Sequence, residues 1–394
     1  MKRDNIKYLR YVAILLFLFI VLACDNSTDP SDNQGEYIYQ VPAQADDGWE
    51  TASITDAGMN PLPLIIMMNE LLNRNDHYVH GILIIKDGKL VFEEYFSGED
   101  LNFTGGYVHK NFDRNTLHFQ ASVTKSFTSA LVGIAIDRGL INGVDEKMFS
   151  FFPEYQYLSN EEKDKITLAH MLAMASGIPW DESTPYSDPR NDVRQLFISS
   201  DPIRYVLAKP LAAPPGTQFD YNSGTTCVLG EIVKKQSELS LKTFAERHLF
   251  TPLGISDYQW QMLPNNVTFA SGGLYLRPRD MAKLGQLYLQ KGVWNGESVI
   301  SQEWVEASAQ SFISVPSSEN PMPGFIEEYG YQWWLGTFAK GNTHTYFAAG
   351  WGGQYIYVLP DLEMVVVLTA GAYEAGDYGV FYSIVNDYIL NSVL

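Results

Sequence analysis

The chain has 394 residues, of which 46% are hydrophobic and 19% are charged, and its formal net charge at pH 7 is −19. This is the composition of a folded globular protein with ample length for a large core, which excludes a chain disordered throughout. Such an acidic protein repels nucleic acid and anionic lipid headgroups, so we expect no nucleic-acid partner. Only two cysteines occur, Cys24 and Cys227, so a disulfide-rich scaffold and a cysteine-rich metal site are also excluded.

The first segment has the pattern of an export signal. Four basic residues precede or border an unbroken apolar run, Tyr11 to Ala23, which is too short for a comfortable transmembrane span. The end of this run, Val21-Leu22-Ala23-Cys24, resembles the lipobox of bacterial lipoproteins, where the peptidase cuts before the cysteine and the thiol carries a diacylglycerol. We therefore expect a signal peptide over 1–23 and lipidation of Cys24. The protein would be exported and lipid-anchored in the bacterial cell envelope, on the periplasmic or the outer surface.

The following residues, 25 to 47, are rich in Asp, Asn, Ser, Gln and Gly, a composition typical of a solvated linker. We predict a flexible tether over 24–56 and one folded domain over 57–394. The sequence contains no signal for the oligomeric state of that domain.

Hydrophobic spacing and turn signals predict the elements of the folded part. The clearest signal is Asp87-Gly88, because this pair favours the tight turn of a two-stranded hairpin. The predicted elements are, in chain order, a helix over Pro61–Asn73, strands over Gly81–Gly88 and Lys89–Phe96, a helix over Ser122–Arg138, a mainly helical region over 141–263, strands over Gln354–Pro360 and Glu363–Ala370, and a helix over Tyr378–Leu390.

This order of elements predicts an α/β plus all-α fold. One antiparallel sheet would be built from the N- and C-terminal segments and flanked by helices, and the mainly helical region would be inserted as a second lobe. Ser122 would then lie near the seam between the two lobes, where clefts commonly form.

Ser122 and Lys125 stand three residues apart in FQASVTKSF, at the start of the predicted long helix. A serine hydroxyl needs a base to take its proton, and a lysine can serve if its pKa is lowered by burial. Residues three apart share a helix face, so the two side chains can meet. The pattern S-x-x-K alone is weak, because a capping serine beside a solvated lysine also produces it. The apolar neighbours Phe119, Val123 and Phe127 argue against solvation of this turn.

Two later stretches contain further candidates. In PPGTQFDYNSG, Tyr221 could act as a general base and then as an acid to the leaving group, although a buried tyrosine that closes a turn fits the same letters. In FAAGWGGQYIYVLPD, glycines including Gly350 allow the backbone to approach a ligand just before a strand, and an ordinary glycine-rich turn is the alternative. Each stretch by itself is weak evidence.

Taken together, S-x-x-K, a Tyr-x-Asn/Ser about a hundred residues later and a glycine-containing strand entry near the C-terminus resemble the serine β-lactamase and penicillin-binding-protein superfamily. Within it, the chain looks most like the class C β-lactamase-related serine hydrolases, which include carboxylesterases and 6-aminohexanoate-dimer hydrolase. The resemblance covers roughly residues 60 to 394 and extends to HMLAMASGIPWDE, LFTPLGISDYQW and GGLYLRPRDMAKLGQLYL. It implies the fold of that superfamily and a hydrolase that works through an acyl-enzyme without metal or cofactor.

The resemblance also implies a role for each residue of the site. Ser122 would be the acylated nucleophile, Lys125 its proton acceptor and Tyr221 the general acid/base partner. The backbone N–H groups of Ser122 and Trp351 would form the oxyanion hole. The substrate pocket would be lined by residues of the second and third motifs and of nearby segments, namely Asn222, Ser223, Ala348, Ala349, Gly350, Trp180, Asp181, Tyr186 and His344.

Two departures from the superfamily pattern favour an ester or a small linear amide as the substrate. The second motif is Tyr-Asn-Ser rather than Tyr-x-Asn, so Ser223 stands where an amide would contact a β-lactam. The third motif, commonly Lys-Thr-Gly, is Ala348-Ala349-Gly350 and lacks the cation that would hold a substrate carboxylate. A β-lactamase or D-alanyl-D-alanine peptidase is one alternative, and a non-catalytic envelope binding module on the same fold is another.

Overall fold

The computed structural model describes residues 36–74, 76–101, 106–373 and 379–393. The predicted signal peptide over 1–23, the predicted lipidation site Cys24 and the tether as far as residue 35 lie outside the described residues. Within the described ranges, no helix is both long enough and apolar enough to cross a membrane.

Ten α-helices and eighteen strands, together with several short 3₁₀ and π segments, make up the described part of the chain. The α-helices are α1 Pro61–Leu72, α2 Thr124–Asp137, α3 Leu168–Leu172, α4 Asp192–Ile198, α5 Pro202–Ala208, α6 Ser223–Ser237, α7 Leu241–Ala245, α8 Pro278–Leu289, α9 Gln302–Ser308 and α10 Gly379–Ser383. The strands are β1 Glu50–Thr51, β2 Val79–Lys86, β3 Lys89–Tyr95, β4 Ser97–Leu101, β5 Tyr107–Asn111, β6 His118–Phe119, β7 Gln259–Trp260, β8 Met262–Leu263, β9 Val267–Thr268, β10 Leu274–Leu276, β11 Val293–Trp294, β12 Glu297–Ser298, β13 Ile313–Ser314, β14 Ile326–Tyr329, β15 Trp334–Phe338, β16 Thr343–Gly350, β17 Gln354–Leu359 and β18 Met364–Ala370.

Nine strands form the main sheet in the order β1-β3-β2-β18-β17-β16-β15-β14-β13. The predicted sheet built from both chain ends is confirmed, because β2 of the N-terminal hairpin pairs with the C-terminal strand β18. Its predicted wholly antiparallel character is wrong at one edge, where β1 runs parallel to β3. The predicted turn closes the first hairpin: Asp87 and Gly88 have φ angles of +51° and +77°, the left-handed conformation that such tight turns need.

Both faces of the central strands are buried. Along β2, Leu83 and Ile85 pack into a core under α2, α6 and α8, whereas Ile82 and Ile84 pack into a core that includes α1 and the C-terminal helix. Side chains on a strand point alternately to the two faces, so an unbroken apolar run suits a strand covered on both sides. The result is a sheet between two helical layers.

The predicted tether is too long, because the folded unit begins at Tyr37. Trp49 is only 2% exposed, and its indole N–H donates to the Arg279 carbonyl at 3.1 Å. The Arg279 guanidinium in turn donates to Asp47 at 2.7 Å, and the Tyr39 hydroxyl donates to the carbonyl of Val91 on β3 at 2.8 Å. The tether was predicted from the polar composition of this segment, but a few aromatic side chains hold the segment against the domain.

The predicted helical region is confirmed, since 141–263 contains five of the α-helices and only two short strands. Its longest helix, α6, packs against α2. The 3₁₀ turn Ala121–Val123 leads into α2, and Tyr221 and Asn222 precede α6. This packing brings the starts of the two helices, and therefore the first two sequence motifs, to one place.

Candidate active site

Ser122 lies in the 3₁₀ turn before α2, between a strained residue and a buried one. Ala121 has a φ angle of +44°, a conformation that non-glycine residues rarely adopt and that is found disproportionately at functional sites. Val123 is fully buried, and its N–H donates to the carbonyl of Gln120 at 3.1 Å. The turn leaves the side chain of Ser122 partly exposed while its backbone is fixed from both sides.

Lys125 is 1% exposed and reaches back to Ser122. Its Nζ lies 2.9 Å from the Ser122 Oγ, 2.9 Å from the Ser223 Oγ and 3.0 Å from the carbonyl oxygen of Ser271. Among the described residues it forms no ion pair. Burial lowers the pKa of this lysine, and the charge of Glu182 opposes that change. Since the carbonyl can only accept and the hydroxyls can also donate, a neutral Lys125 amine can accept the Ser122 proton.

Tyr221 covers the Lys125 amine from the other lobe. The Lys125 Nζ lies 4.6 Å from the centre of the tyrosine ring, and the ring stacks on Trp334 with centroids 5.4 Å apart. Burial raises the pKa of the Tyr221 phenol, the Glu182 charge raises it further, and a hydrogen bond with Ser122 opposes the rise. Tyr221 is therefore a neutral phenol at neutral pH, able to donate its proton.

The end of β16 packs directly on the backbone of the Ser122 turn. A methyl group added at Gly350 would come within 2.5 Å of the Gln120 carbonyl oxygen and 3.1 Å of the Ser122 nitrogen. Only a glycine allows this approach, which brings the Gly350–Trp351 peptide next to the Ser122 amide. The indole of Trp351 is held in turn, because its N–H donates to the Tyr373 carbonyl at 2.8 Å.

Three carboxyl groups that the sequence did not single out surround these residues. Glu182 accepts from the Ser223 N–H at 2.8 Å, and Glu319 accepts from the Tyr221 N–H at 3.4 Å. Asp220 accepts from the Trp180 N–H at 3.3 Å, and burial, with the nearby Glu319 charge, raises the pKa of Asp220 to about 7. Two of these residues stood beside quoted motifs, in WDE and FDYNS, which is the signal that could have found them.

Several predicted pocket residues do lie at this site. Ser223 contacts the Lys125 amine, as given above. The Tyr186 ring lies 5.1 Å from that of Trp351, and this residue is 43% exposed. Trp180 packs over Gly224 at the start of α6, where an added methyl group would come within 2.5 Å of its ring.

Other predicted pocket residues have structural roles instead. Asn222 is 0% exposed, and its side chain caps α6 through the Thr225 N–H at 2.9 Å. The Asp181 carboxylate closes its own loop by accepting from Ser183 and Thr184 N–H groups, each at 3.1 Å. The prediction of a substrate contact is wrong for Asn222, because its side chain is buried and caps the helix. For Asp181, which is partly exposed, it stays a prediction.

The predicted pocket residues on β16 divide in the same way. Ala348 is 2% exposed and belongs to the core under α2, whereas Ala349 is half-buried next to the cluster that includes Tyr221. His344 is exposed, bonded to Thr337 at 2.9 Å, and lines a separate groove of about 310 Å³ that does not include Ser122. Six residues along a strand span about 20 Å, so the prediction for His344 is wrong.

Comparison with known proteins agrees with this architecture. The Beta-lactamase family model matches residues 75–379. The 6-aminohexanoate-dimer hydrolase of Paenarthrobacter ureafaciens is 28% identical over 274 residues, which cover 66% of this chain and 68% of that protein.

Two solved structures share the fold. One, provisionally named as a 6-aminohexanoate-dimer hydrolase from Bacillus anthracis, has a TM-score of 0.64 and 24% identity and covers 82% of this chain and 81% of that one. The other, EstCE1, described as a hydrolase with promiscuous acyltransferase activity, has a TM-score of 0.65 and 15% identity and covers 86% of this chain and 99% of that one. At such identities these two likenesses show the fold alone.

Because the family model covers most of the chain, the protein belongs to the beta-lactamase family. It has the β-lactamase/transpeptidase-like fold and is a hydrolase of the serine β-lactamase-related type.

Proposed function

We propose that this protein is a serine hydrolase that cleaves an ester or a small linear amide through an acyl-enzyme on Ser122. The observation that carries the proposal is the buried Lys125 amine, 2.9 Å from the Ser122 Oγ and without a carboxylate partner among the described residues. Burial lowers the pKa of this lysine, which favours its neutral, proton-accepting form.

The proposed acylation step uses Ser122, the Lys125 amine, the Tyr221 phenol and the Trp351 N–H. The Lys125 amine takes the Ser122 proton as the Oγ attacks the substrate carbonyl, and the Ser122 and Trp351 N–H groups stabilise the oxyanion. Tyr221, a neutral phenol beside Ser122, donates a proton to the leaving group. In deacylation, water attacks the acyl group while the Tyr221 and Lys125 pair takes its proton, and Ser122 leaves as a hydroxyl.

The charges around the site favour a substrate without a carboxylate near the scissile bond. Ala348 replaces the lysine that would hold such a carboxylate and is buried in the core. Glu182 and Glu319 add negative charge instead, and Asp220, with a pKa of about 7, adds part of a charge. This charge would repel the carboxylate of a β-lactam. The relative from P. ureafaciens is named for a linear amide substrate, which supports an ester or linear amide here over a β-lactam.

The proposed location follows from the N-terminal segment. Lipidation at Cys24 would leave residues 25–36 between the membrane anchor and the folded unit that begins at Tyr37. Twelve residues reach about 40 Å when fully extended, so the anchor would keep the folded unit at the envelope. The proposed partners are the small-molecule substrate and the membrane that holds the anchor.

Hydrolysis of a short-chain p-nitrophenyl ester and of nitrocefin by the full-length protein tests the proposed function. We expect ester turnover, little nitrocefin turnover, and loss of ester turnover in Ser122→Ala. The matched control is Ser183→Ala, an exposed serine in the nearby loop, which should behave as wild type. Rapid nitrocefin turnover would support a β-lactamase instead, and equal ester rates in Ser122→Ala would refute the role of Ser122.

A further inference from the structure

A second buried polar cluster includes His118, which lies four residues before Ser122. It consists of His80 on β2, Asp100 on β4 and His118 on β6, which are 1%, 3% and 1% exposed. One ligating atom of each residue can be chosen so that all three atoms lie within 4.8 Å of one another. We propose that these residues bind a divalent transition-metal ion, and that zinc is the ion that fits them best, since imidazole nitrogen and carboxylate oxygen are among its usual ligands.

The nitrogen of His118 that can bind an ion is set by its hydrogen bond. Its Nδ1 lies 3.1 Å from the Phe119 carbonyl oxygen, which can only accept, so Nδ1 carries the proton. Its Nε2 therefore keeps a lone pair and faces the His80 Nδ1 at 2.8 Å. Metal-binding histidines typically donate their other ring N–H to a carbonyl or carboxylate in this way.

The orientation of His80 is fixed by packing. Its ring stacks on Phe112 with centroids 3.9 Å apart, and methyl groups at Gly98 and Gly371 would come within 2.6 Å and 2.8 Å of its Nε2. Backbone thus closes the Nε2 side, and Nδ1 is the nitrogen that can reach an ion. Without an ion, Nδ1 carries the proton of its hydrogen bond to the His118 Nε2, and metal binding would release that proton to solvent. A tetrahedral zinc ion keeps ligand nitrogens about 3.3 Å apart, so the two rings would separate by about half an ångström.

Asp100 retains capacity for one more ligand. Its Oδ1 accepts from the Tyr373 hydroxyl and from the Leu101 N–H, each at 2.9 Å, and its Oδ2 accepts from the Lys110 ammonium at 2.8 Å. A carboxylate offers about four lone-pair positions, so one position remains on Oδ2. The Lys110 side chain is 39% exposed and can turn to solvent when an ion takes over the charge of Asp100.

An ion at this position would brace the turn that carries Ser122. The side chain of Gln120 donates to the His118 carbonyl at 2.8 Å, which connects the cluster to the backbone before Ser122. On the other side, Tyr373 joins Asp100 through its hydroxyl and accepts from the Trp351 indole through its carbonyl. The site would therefore hold both segments of the proposed oxyanion hole, although its existence does not depend on the reaction.

Zinc binding by the full-length protein, purified in detergent and stripped with a chelator, tests this proposal. Titration with Zn²⁺ against a colorimetric indicator, with metal content by mass spectrometry, should give one ion per chain. His118→Gln should weaken binding by about 100-fold or more. The matched control is His109→Gln, an exposed histidine on the neighbouring strand β5, which should leave the affinity unchanged.

A second variant keeps the test decisive if His118→Gln does not fold. Lys110→Met removes the cation that competes for Asp100 and should tighten zinc binding by about tenfold. A wild-type protein that binds no stoichiometric zinc would overturn the proposal. So would an equal affinity in His118→Gln, or zinc binding weakened by Lys110→Met.

Discussion

Among the described residues, two lysines are less than 2% exposed, and they differ in what faces their amino groups. Lys283 on α8 is 0% exposed and lies 2.7 Å from the carboxylate of Asp280, one helical turn away. Lys125 on α2 is 1% exposed, and its neighbours are two hydroxyl groups and a carbonyl.

The two sites differ in whether a carboxylate contacts the buried amino group. A carboxylate in contact offsets the cost of burying an ammonium group and makes a structural ion pair. Without that counter-charge, burial disfavours the charged form and lowers the pKa, as it does for Lys125. The same kind of side chain therefore forms an ion pair on one helix, whereas on the other we propose that it activates Ser122.

Replacement of Lys125 is expected to have the largest effect on activity. Lys125→Met should lower kcat/KM for a p-nitrophenyl ester by at least about 10⁴-fold, because the serine loses its base. The buried methionine fills similar volume without a charge, so the Tm should change little. Both quantities can be measured on the same preparation by spectrophotometry and thermal unfolding. An active Lys125→Met protein would remove the distinction between the two lysines.

Replacement of Tyr221 should come next. Tyr221→Phe keeps the ring stacked on Trp334 but removes the proton donor, so kcat should fall by about 10²- to 10⁴-fold with unchanged folding. Steady-state kinetics with esters of different leaving groups measure this, and poorer leaving groups should suffer more. Tyr329→Phe, which removes a hydroxyl from the ring that meets Tyr221 edge-on, is the matched control and should keep near-normal rates.

Lys283→Met should give the opposite result to Lys125→Met. It leaves the Asp280 carboxylate buried without its partner, which should cost about 3–5 kcal/mol of unfolding free energy. Urea unfolding measures this loss, and kcat of the folded fraction should stay close to wild type. A stable but inactive Lys283→Met protein would contradict the structural role given to this pair.

A smaller effect is expected at Gly350, which packs on the turn that carries Ser122. Gly350→Ala places a methyl group against the Gln120 carbonyl and should push the Trp351 amide away from its position. We expect kcat to fall by about 10- to 100-fold, less than the loss of a whole oxyanion donor. Unchanged kcat in a correctly folded variant would contradict the proposal that β16 positions an oxyanion donor.

The smallest effect concerns Asp220 and the pH dependence of stability. Its pKa is raised to about 7 in the folded protein, against about 3.9 in the unfolded chain. Between these values the folded state binds more protons, so this residue makes the unfolding free energy decrease as pH rises from about 4 to about 7. Asp220→Asn should flatten that slope in urea unfolding curves, whereas Asp188→Asn, at an exposed carboxylate whose pKa is lowered to about 2, should keep it.

The fold and the contact between Ser122 and Lys125 could be predicted because local signals agreed with one another. Asp87-Gly88 specified the first hairpin, and the apolar runs of β2, β17 and β18 specified buried strands. For the helix after Ser122, the sequence showed an apolar face and a glycine just after the helix end. The S-x-x-K spacing placed Lys125 on the face of Ser122, which the 2.9 Å contact confirms.

The parts that failed depend on side-chain contacts that the motif letters do not show. The segment before α1 is polar on average, so its composition did not show that Trp49 is buried. The hydrogen-bond partner of Trp49, the Arg279 carbonyl, lies 230 residues away. Asn222 was interpreted from its neighbours in the motif, but its side chain is buried and caps α6. His80, Asp100 and His118 have no spacing that marks a metal site, and only the packing of β2, β4 and β6 brings them together.

The most direct test of the central claim is to trap a covalent phosphonyl adduct on Ser122. Full-length protein, Ser122→Ala and Lys125→Met would be treated with a fluorophosphonate probe, digested and analysed by mass spectrometry. We expect the probe on the peptide that contains Ser122 in wild type, no label in Ser122→Ala and much slower labelling in Lys125→Met. A label at another residue, or equal labelling of Ser122→Ala, would contradict the assignment of Ser122 as a nucleophile activated by a buried lysine.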